Sequence, residues 1–227
     1  MDTVLKVVLL GESGVGKTCI INKFTTGFFD RETISNLSAQ FISKTMELKE
    51  ISKTIKFDIW DTAGQEKYRS LAKIFYKDAK VICLCYDITN KKSFTELRDY
   101  WYEQNVKDNA QENPIFAVVG NKVDLYEMSQ VKDEEGRQFA KDIKGIFQLT
   151  SAKSDFGINK LFEHIGIKYF NPEVDFIEDE NKEKQDYEQE KAKIEKNKQK
   201  ERAATIPRRG VKILDKSRLD NNKSACC

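Results

Sequence analysis

The sequence predicts an α/β fold with three layers: a six-stranded, mostly parallel sheet with one antiparallel edge strand, covered by five helices. Short apolar runs alternate along the chain with helical patterns, an order typical of a doubly wound sheet. The predicted strands 39–48 and 53–60 are joined only by residues 49–52, too few for a crossover, so this pair should be antiparallel. A glycine-rich loop follows the first strand, where such sheets bind ligands.

The elements follow in chain order. The run Val4 to Leu10 is apolar and β-branched and predicts the first strand. In the next segment Ile20, Ile21 and Phe24 are spaced as on one face of a helix. The remaining strands are predicted at 39–48, 53–60, 80–87, 114–120 and 146–149, and the helices at 17–26, 67–77, 92–108, 132–142 and 157–170.

Two regions of different composition divide the chain. Pro172 follows the last periodic helix, so a domain is predicted over 1–171 and a flexible charged tail over 172–227. Residues 173–206 are dense in Glu, Lys, Gln and Asp and hold too few apolar residues to pack. A transient charged helix near 183–202 stays open as an alternative.

Charge and cysteine usage limit the kinds of partner. The 39 basic and 37 acidic residues nearly cancel, at net +2, so nothing indicates nucleic acid as a partner. The sequence has no apolar run of 18 or more residues and no signal sequence at its N-terminus, so neither a membrane span nor secretion is expected. Cys83 and Cys85 alternate with apolar neighbours and are predicted to be reduced core residues of a cytosolic protein.

The loop Gly11 to Thr18 matches the phosphate-binding pattern G-x-x-x-x-G-K-[ST], in the strand–loop–helix context typical of a P-loop NTPase. Its glycines let backbone N–H groups surround a phosphate at a helix N-terminus. Lys17 is predicted to contact the β- and γ-phosphates, and Thr18 to bind Mg²⁺. The predicted nucleotide contacts in this region are Ser13, Gly14, Val15, Gly16, Lys17, Thr18 and Cys19.

Two later segments select the base. In N-K-V-D, residues 121–124, the Asp124 carboxylate can accept two hydrogen bonds from guanine, whereas adenine offers no such donor pair. Asn121 can tie this loop to the phosphate loop, and the stem of Lys122 can lie against the base. In T-S-A-K, residues 150–153, the backbone N–H of Ala152 can meet guanine O6. Ser151 and Lys153 complete the predicted base site.

A third segment, W-D-T-A-G-Q-E at 60–66, carries the hydrolytic chemistry. Asp61 ends a predicted strand and can reach Mg²⁺ through a water. The backbone N–H of Gly64 can sense the γ-phosphate. Gln65 is placed to orient the attacking water, which requires a neutral residue that both donates and accepts hydrogen bonds. Gln65 and Lys17 are therefore the predicted catalytic residues.

The chain resembles the small GTPases of the Ras superfamily, and specifically the Rab branch, over about residues 4–170. Beyond the nucleotide motifs, the Rab-type segments are K-F-D-I-W at 56–60, K-Y-R-S-L at 67–71, F-Y-K-D-A at 75–79 and C-Y-D-I-T at 85–89. The pair Cys226-Cys227 resembles a Rab prenylation signal. With the basic stretch 208–223 it implies a lipid anchor on the cytosolic face of endomembranes.

The resemblance implies a GDP/GTP switch that slowly hydrolyses GTP and regulates vesicle trafficking. Its implied partners are an exchange factor, a GTPase-activating protein, Rab escort protein, GDP-dissociation inhibitor, and effectors that bind the switch segments 29–41 and 62–77. Phe41, Trp60 and Tyr76 are expected on that surface, with simple packing as the alternative for Trp60. A monomer with a cytosolic GDP-bound pool is expected, and the segment 37–41 resembles the early-endocytic branch.

One departure from the family pattern concerns Mg²⁺. The resemblance places Phe29 against the guanine and Asn36 where the family has a threonine that ligates Mg²⁺. An asparagine oxygen is a suitable ligand, so activity is expected to be retained and switching altered. Thr33 or Ser35 could fill the role instead. Asn36 motivates one alternative, a GTP-binding scaffold with little hydrolysis. A second alternative is an ATP-using P-loop kinase, against which N-K-V-D and T-S-A-K both argue.

Overall fold

The computed structural model describes residues 3–29, 40–61, 76–107, 114–176 and 180–205. Six strands form one sheet in the order β2-β3-β1-β4-β5-β6. The only antiparallel pair among the described strands is β2 with β3, at one edge of the sheet. The strands are β1 (Thr3–Leu10), β2 (Gln40–Leu48), β3 (Lys53–Asp61), β4 (Val81–Asp87), β5 (Ile115–Asn121) and β6 (Ile146–Leu149).

Helices connect the parallel strands. Helix α1 begins directly after the glycine-rich loop and ends at Gly27, whose φ of 79° suits a glycine. Helix α2 begins at a cap in which Asn90 accepts a hydrogen bond from the Ser93 N–H, and it continues without a break from α-helical into π-helical geometry. The helices are α1 (Lys17–Thr26), α2 (Lys91–Glu96 and then Leu97–Val106), α3 (Asp133–Asp142), α4 (Ile158–Phe170) and α5 (Glu180–Thr205).

The core lies on both faces of the sheet, as three layers require. Successive residues of β1 point to opposite faces. Val7 packs on the side of α1 and α4, in a cluster with Phe24 and Phe162, whose rings stack at 3.6 Å. Val8 packs on the side of α2 and α3, in a cluster with Trp101. Every residue of the central strand β4 is buried, which explains its continuous apolar sequence.

The predicted fold class is confirmed. Six strands, the antiparallel edge pair and four of the five predicted helices lie within a residue or two of their predicted positions. The predicted helix 67–77 lies almost entirely outside the described residues. Within the described ranges, no helix combines the length and the apolarity that crossing a membrane requires.

The first compact unit of the chain extends to Lys191, beyond the predicted domain end at 171. The part of α5 up to Lys191 belongs to this unit. The Tyr187 side chain is 6% exposed and joins the core cluster of β4 and α3, and Asp186 pairs with Lys160 at 3.2 Å. The second unit begins at Ala192, and its described part is the remainder of α5, up to Thr205.

Candidate nucleotide site

Glycines in the loop between β1 and α1 are required by close approach and by backbone geometry. Gly11 and Gly16 have φ of 144° and 96°, which side-chain-bearing residues rarely adopt. A Cβ atom on Gly11 would overlap the carbonyl oxygen of Cys85, and one on Gly16 would overlap the Asn121 side-chain amide. The loop can therefore follow this path only with glycine at both positions, and it leads directly into the N-terminus of α1.

The Lys17 side chain lies inside this loop. Its ammonium donates to the carbonyl oxygens of Gly11, at 2.8 Å, and Glu12, at 2.9 Å. Lys17 is 5% exposed, and this burial lowers the pKa of its ammonium, partly offset by nearby acidic groups including Asp61 and Glu12. An ammonium has three donors, so one remains for a phosphate oxygen. A bound phosphate would also offset the cost of burying the charge.

A hydroxyl and a carboxylate meet beside the loop. Thr18, at the start of α1, donates its hydroxyl to Oδ2 of Asp61 at 2.6 Å. Asp61 is the last residue of β3 and is 2% exposed. Hard oxygen donors of this kind suit Mg²⁺ in a site shared with phosphate oxygens. The residues present therefore fit a magnesium ion at this point.

The two predicted base-recognition segments lie together. Asn121, at the end of β5, donates its side-chain amide to the Val15 carbonyl at 2.9 Å and accepts from the Thr150 hydroxyl at 3.1 Å. It therefore joins the phosphate loop to both base segments. Asp124, 8% exposed, accepts from the Ser151 hydroxyl at 2.7 Å, and Lys153 lies 3.7 Å from its other oxygen. The carboxylate is thus held in one orientation from two sides.

Backbone N–H groups make further hydrogen bonds within and between the two base segments. Val123 N–H donates to the Thr150 carbonyl at 3.1 Å, and Ser154 N–H donates to the Ser151 hydroxyl at 3.1 Å. Ala152, which lies between Ser151 and Ser154 in the sequence, is 3% exposed. Phe29 and Cys19 are half-buried.

Asp87 is a contributor to the site that the sequence reasoning missed. It ends β4, and its carboxylate binds the Lys122 ammonium at 2.7 Å while accepting from the N–H and hydroxyl of Thr89. Lys122 itself has a φ of 70°. Asp87 therefore holds the Lys122 ammonium at the end of β4. The available signal was the polar residue at the end of an apolar strand, the same signal that singled out Asp61.

Some predicted residues lie outside the described part of the chain: Asn36, Gly64, Gln65, Cys226 and Cys227. Among the predicted effector-facing aromatics, Phe41 is 53% exposed and its ring lies 5.3 Å from that of Trp60. The expectation for Tyr76 is wrong. Tyr76 is 1% exposed, and its hydroxyl donates to the Asn105 carbonyl at 2.8 Å, so it packs between the sheet and α2.

A glycine-rich loop around a buried lysine, a hydroxyl–carboxylate pair and a buried carboxylate in N-K-V-D meet at the carboxyl ends of parallel strands. This combination defines a P-loop protein whose base site suits guanine. Consistent with this, a model of the Ras family matches residues 6–170, and the chain belongs to that family.

Three similar proteins identify the branch of the Ras family to which the chain is related. Over 163 residues it is 40% identical to "Ras-related protein RabJ" of Dictyostelium discoideum, a match covering 72% of this chain and 62% of that protein. It is 40% identical to "Ras-related protein Rab5A" of Oryza sativa subsp. japonica over 160 residues, covering 70% and 77%. It is 39% identical to "Ras-related protein Rab-8A" of Bos taurus over 161 residues, covering 71% and 76%. The chain is therefore a Rab-like small GTPase, a GTP hydrolase of vesicle trafficking.

Proposed function

We propose that this GTPase works as a GDP/GTP switch on the cytosolic face of endomembranes, with guanine recognised by Asp124 and phosphate by the loop around Lys17. The observation that carries the proposal is the bond from Asn121 to the Val15 carbonyl, which links the base segment to the phosphate loop. A ligand with both guanine and phosphates would contact both parts at once. Competition of GDP, GTP and ATP against a labelled guanine nucleotide tests this, and preference for ATP would contradict it.

The phosphate contacts come from the loop itself. Backbone N–H groups from Ser13 to Cys19 face the phosphates at the N-terminus of α1, where the helix dipole favours negative charge. The Lys17 ammonium adds a full positive charge, and its remaining N–H can donate to a phosphate oxygen. Charge develops on the γ-phosphate oxygens during transfer, so Lys17 stabilises the transition state as well as the bound nucleotide.

Thr18 and Asp61 would hold Mg²⁺, with Asn36 as the ligand from the first switch segment. When bound, the ion supplies charge neutralisation across the β- and γ-phosphates. Buried beside Thr18, Asp61 keeps its carboxylate turned toward the phosphate loop. Replacing Asn36 by Ala should speed nucleotide release, and replacing it by Thr should slow it, both in magnesium-dependent fashion. If Asn36→Ala releases nucleotide like the wild type, Asn36 is not a ligand.

For hydrolysis, Gln65 orients the attacking water and the Gly64 N–H contacts the γ-phosphate. No arginine finger is evident in the sequence motifs, so we expect intrinsic turnover to be slow and a GTPase-activating protein to supply the missing charge. Single-turnover phosphate release from preloaded GTP measures this step. Release no faster than from GTP in buffer would favour the alternative role of a GTP-binding scaffold, which family membership does not favour.

The C-terminal residues Cys226 and Cys227 are the proposed lipid attachment sites. Two chains, or one chain with basic charge, give stable membrane binding, and the stretch 208–223 supplies the charge. The pair Ile213-Leu214 is proposed to dock on Rab escort protein and GDP-dissociation inhibitor. Replacing both cysteines by serine should move the protein into the cytosol with GTP binding intact. Pelleting with membranes after this change would indicate a protein receptor instead.

A further inference from the structure

An indole–carboxylate hydrogen bond joins helix α2 to the phosphate loop. The Trp101 side-chain N–H donates to Oε1 of Glu12 at 2.9 Å, although the two residues are 89 positions apart. Trp101 is 1% exposed, so its indole is fixed by packing against the core. Because the acceptor is a carboxylate, this bond belongs to the stronger, charge-assisted class.

Glu12 connects this bond to the nucleotide site. Its side chain accepts from Trp101, while its backbone carbonyl accepts from the Lys17 ammonium at 2.9 Å. Movement of Glu12 would therefore displace one of the two carbonyl oxygens that orient Lys17. The bond from Trp101 to Glu12 is a second attachment of the loop, besides the one from Asn121 to the Val15 carbonyl. Gly11, Gly14 and Gly16 contribute no side chains to such attachments and have wide backbone freedom.

The part of α2 that carries Trp101 is itself held from several sides. It lies in the π-helical section Leu97–Val106, in which the Lys107 N–H donates to the Tyr102 carbonyl at 2.9 Å. The Asn105 side chain donates to the Tyr100 carbonyl at 2.7 Å, and the Asn105 carbonyl accepts from the Tyr76 hydroxyl. The indole therefore comes from a helical section whose buried residues Leu97, Trp101 and Val106 pack in the core cluster on that face of the sheet.

We propose that Trp101 is a positioning residue for nucleotide retention: by binding Glu12, it fixes the phosphate loop in the conformation that directs Lys17 at the phosphates. It does not touch the nucleotide and acts only through Glu12. The proposal rests on guanine-nucleotide binding at this loop and adds a residue from α2 to the determinants of that binding. Loss of the bond should raise the rate of nucleotide release.

The test measures release of fluorescently labelled GDP from the full-length protein after addition of excess GDP. Trp101→Phe removes the N–H but keeps an aromatic ring, and Glu12→Ala removes the acceptor. Glu12→Gln keeps a carbonyl oxygen that can still accept from the indole. Tyr102→Phe, which removes a hydroxyl group from a neighbouring aromatic side chain on the same helix, is the matched control.

Trp101→Phe and Glu12→Ala should each speed release about tenfold, equivalent to about 1.4 kcal/mol. Glu12→Gln should stay within about threefold of the wild type, and Tyr102→Phe should match it. The double variant Trp101→Phe/Glu12→Ala should release no faster than either single variant, since both remove one interaction. A purely structural role for Trp101 would instead make the two effects multiply.

Three results would overturn the positioning role: release within twofold of the wild type in Glu12→Ala, multiplying effects in the double variant, or equal acceleration in Glu12→Gln and Glu12→Ala. Should Trp101→Phe fold poorly, the comparison of Glu12→Gln with Glu12→Ala decides the matter, because Glu12 is only half-buried. A wild type that does not retain labelled GDP would contradict guanine-nucleotide binding itself. That outcome differs from one in which the wild type and all variants retain labelled GDP equally, which would contradict only the positioning role.

Discussion

Replacing Asp124 by asparagine should move the base preference of this protein from guanine to xanthine. Asp124 is 8% exposed, and Oδ1 accepts from Ser151 at 2.7 Å. An ionised carboxylate has about four acceptor positions, so this support leaves acceptors for the N1–H and the amino group of guanine. An asparagine amide would present donors where guanine also has donors. Xanthine replaces the amino group by an oxygen, which can accept from that amide.

The size of the change follows from the bonds lost. Each hydrogen bond to a charged group contributes about 1.5–3 kcal/mol, so two contribute about 3–6 kcal/mol. At about 1.4 kcal/mol for each tenfold, guanine affinity should fall by about 10²–10⁴. Ser151→Ala keeps the carboxylate and removes only one supporting bond, so guanine affinity should fall by about tenfold at most.

Equilibrium competition against labelled GDP measures both variants, with GDP, xanthosine diphosphate and ADP as competitors. Asp124→Asn should bind xanthosine diphosphate more tightly than GDP, whereas Ser151→Ala should keep the wild-type order of preference. Guanine preference retained within threefold in Asp124→Asn would refute the assigned role of Asp124. Equal losses for all three competitors would instead indicate damage to the phosphate loop.

Further expectations concern catalysis, the loop and the core. Gln65→Leu should retain GTP and slow single-turnover hydrolysis by up to about 10²-fold, and unchanged turnover would mean that another residue orients the water. Gly16→Ala should speed GDP release far more than Gly14→Ala. Both glycines have positive φ, but only the methyl group added at Gly16 would overlap Asn121. Equal release rates in the two variants would exclude that overlap as the cause. Burial raises the pKa of Cys85 from 9.0 to about 12, so its contribution to stability is complete below pH 9 and is lost as the pH rises toward 12. Between pH 8 and pH 11 the free energy of unfolding, measured by urea titration, should therefore fall by about 2–3 kcal/mol less in Cys85→Val than in the wild type. An equal fall in both proteins would contradict this.

Strand positions could be predicted well because burial dictates their composition. Every residue of β4 is buried between two helical layers, so the run 81–87 is almost wholly apolar and its limits are visible in the sequence. The antiparallel pairing of β2 with β3 followed from a short connection, which excludes a crossover whatever the side chains are. Both signals come from residues that are close together in the chain, so they can be recognised in a single sequence.

Contacts between distant residues could not be predicted in the same way. Tyr76 carries an amphipathic aromatic side chain that suits a surface as well as a core, and only the position of Asn105 opposite its hydroxyl decides the matter. The π-helical section of α2 has ordinary helical composition, so its wider turns follow from packing rather than propensity. The charged composition of residues 180–191 likewise gave no sign of packing, although Tyr187 joins the core cluster of β4 and α3.

Residue types and their spacing were sufficient to predict the fold class, the phosphate loop, the guanine-type base segments and the membership of a GTPase family. It could do so because the glycines, Lys17 and Asp124 are required by chemistry at spacings that the backbone imposes. How these parts are joined is visible only in the folded chain: Asn121 to Val15, Asp87 to Lys122, and Trp101 to Glu12. These bonds cross from strand or helix to loop over long stretches of chain, and their partners are chosen by the packed sheet that brings strand ends together.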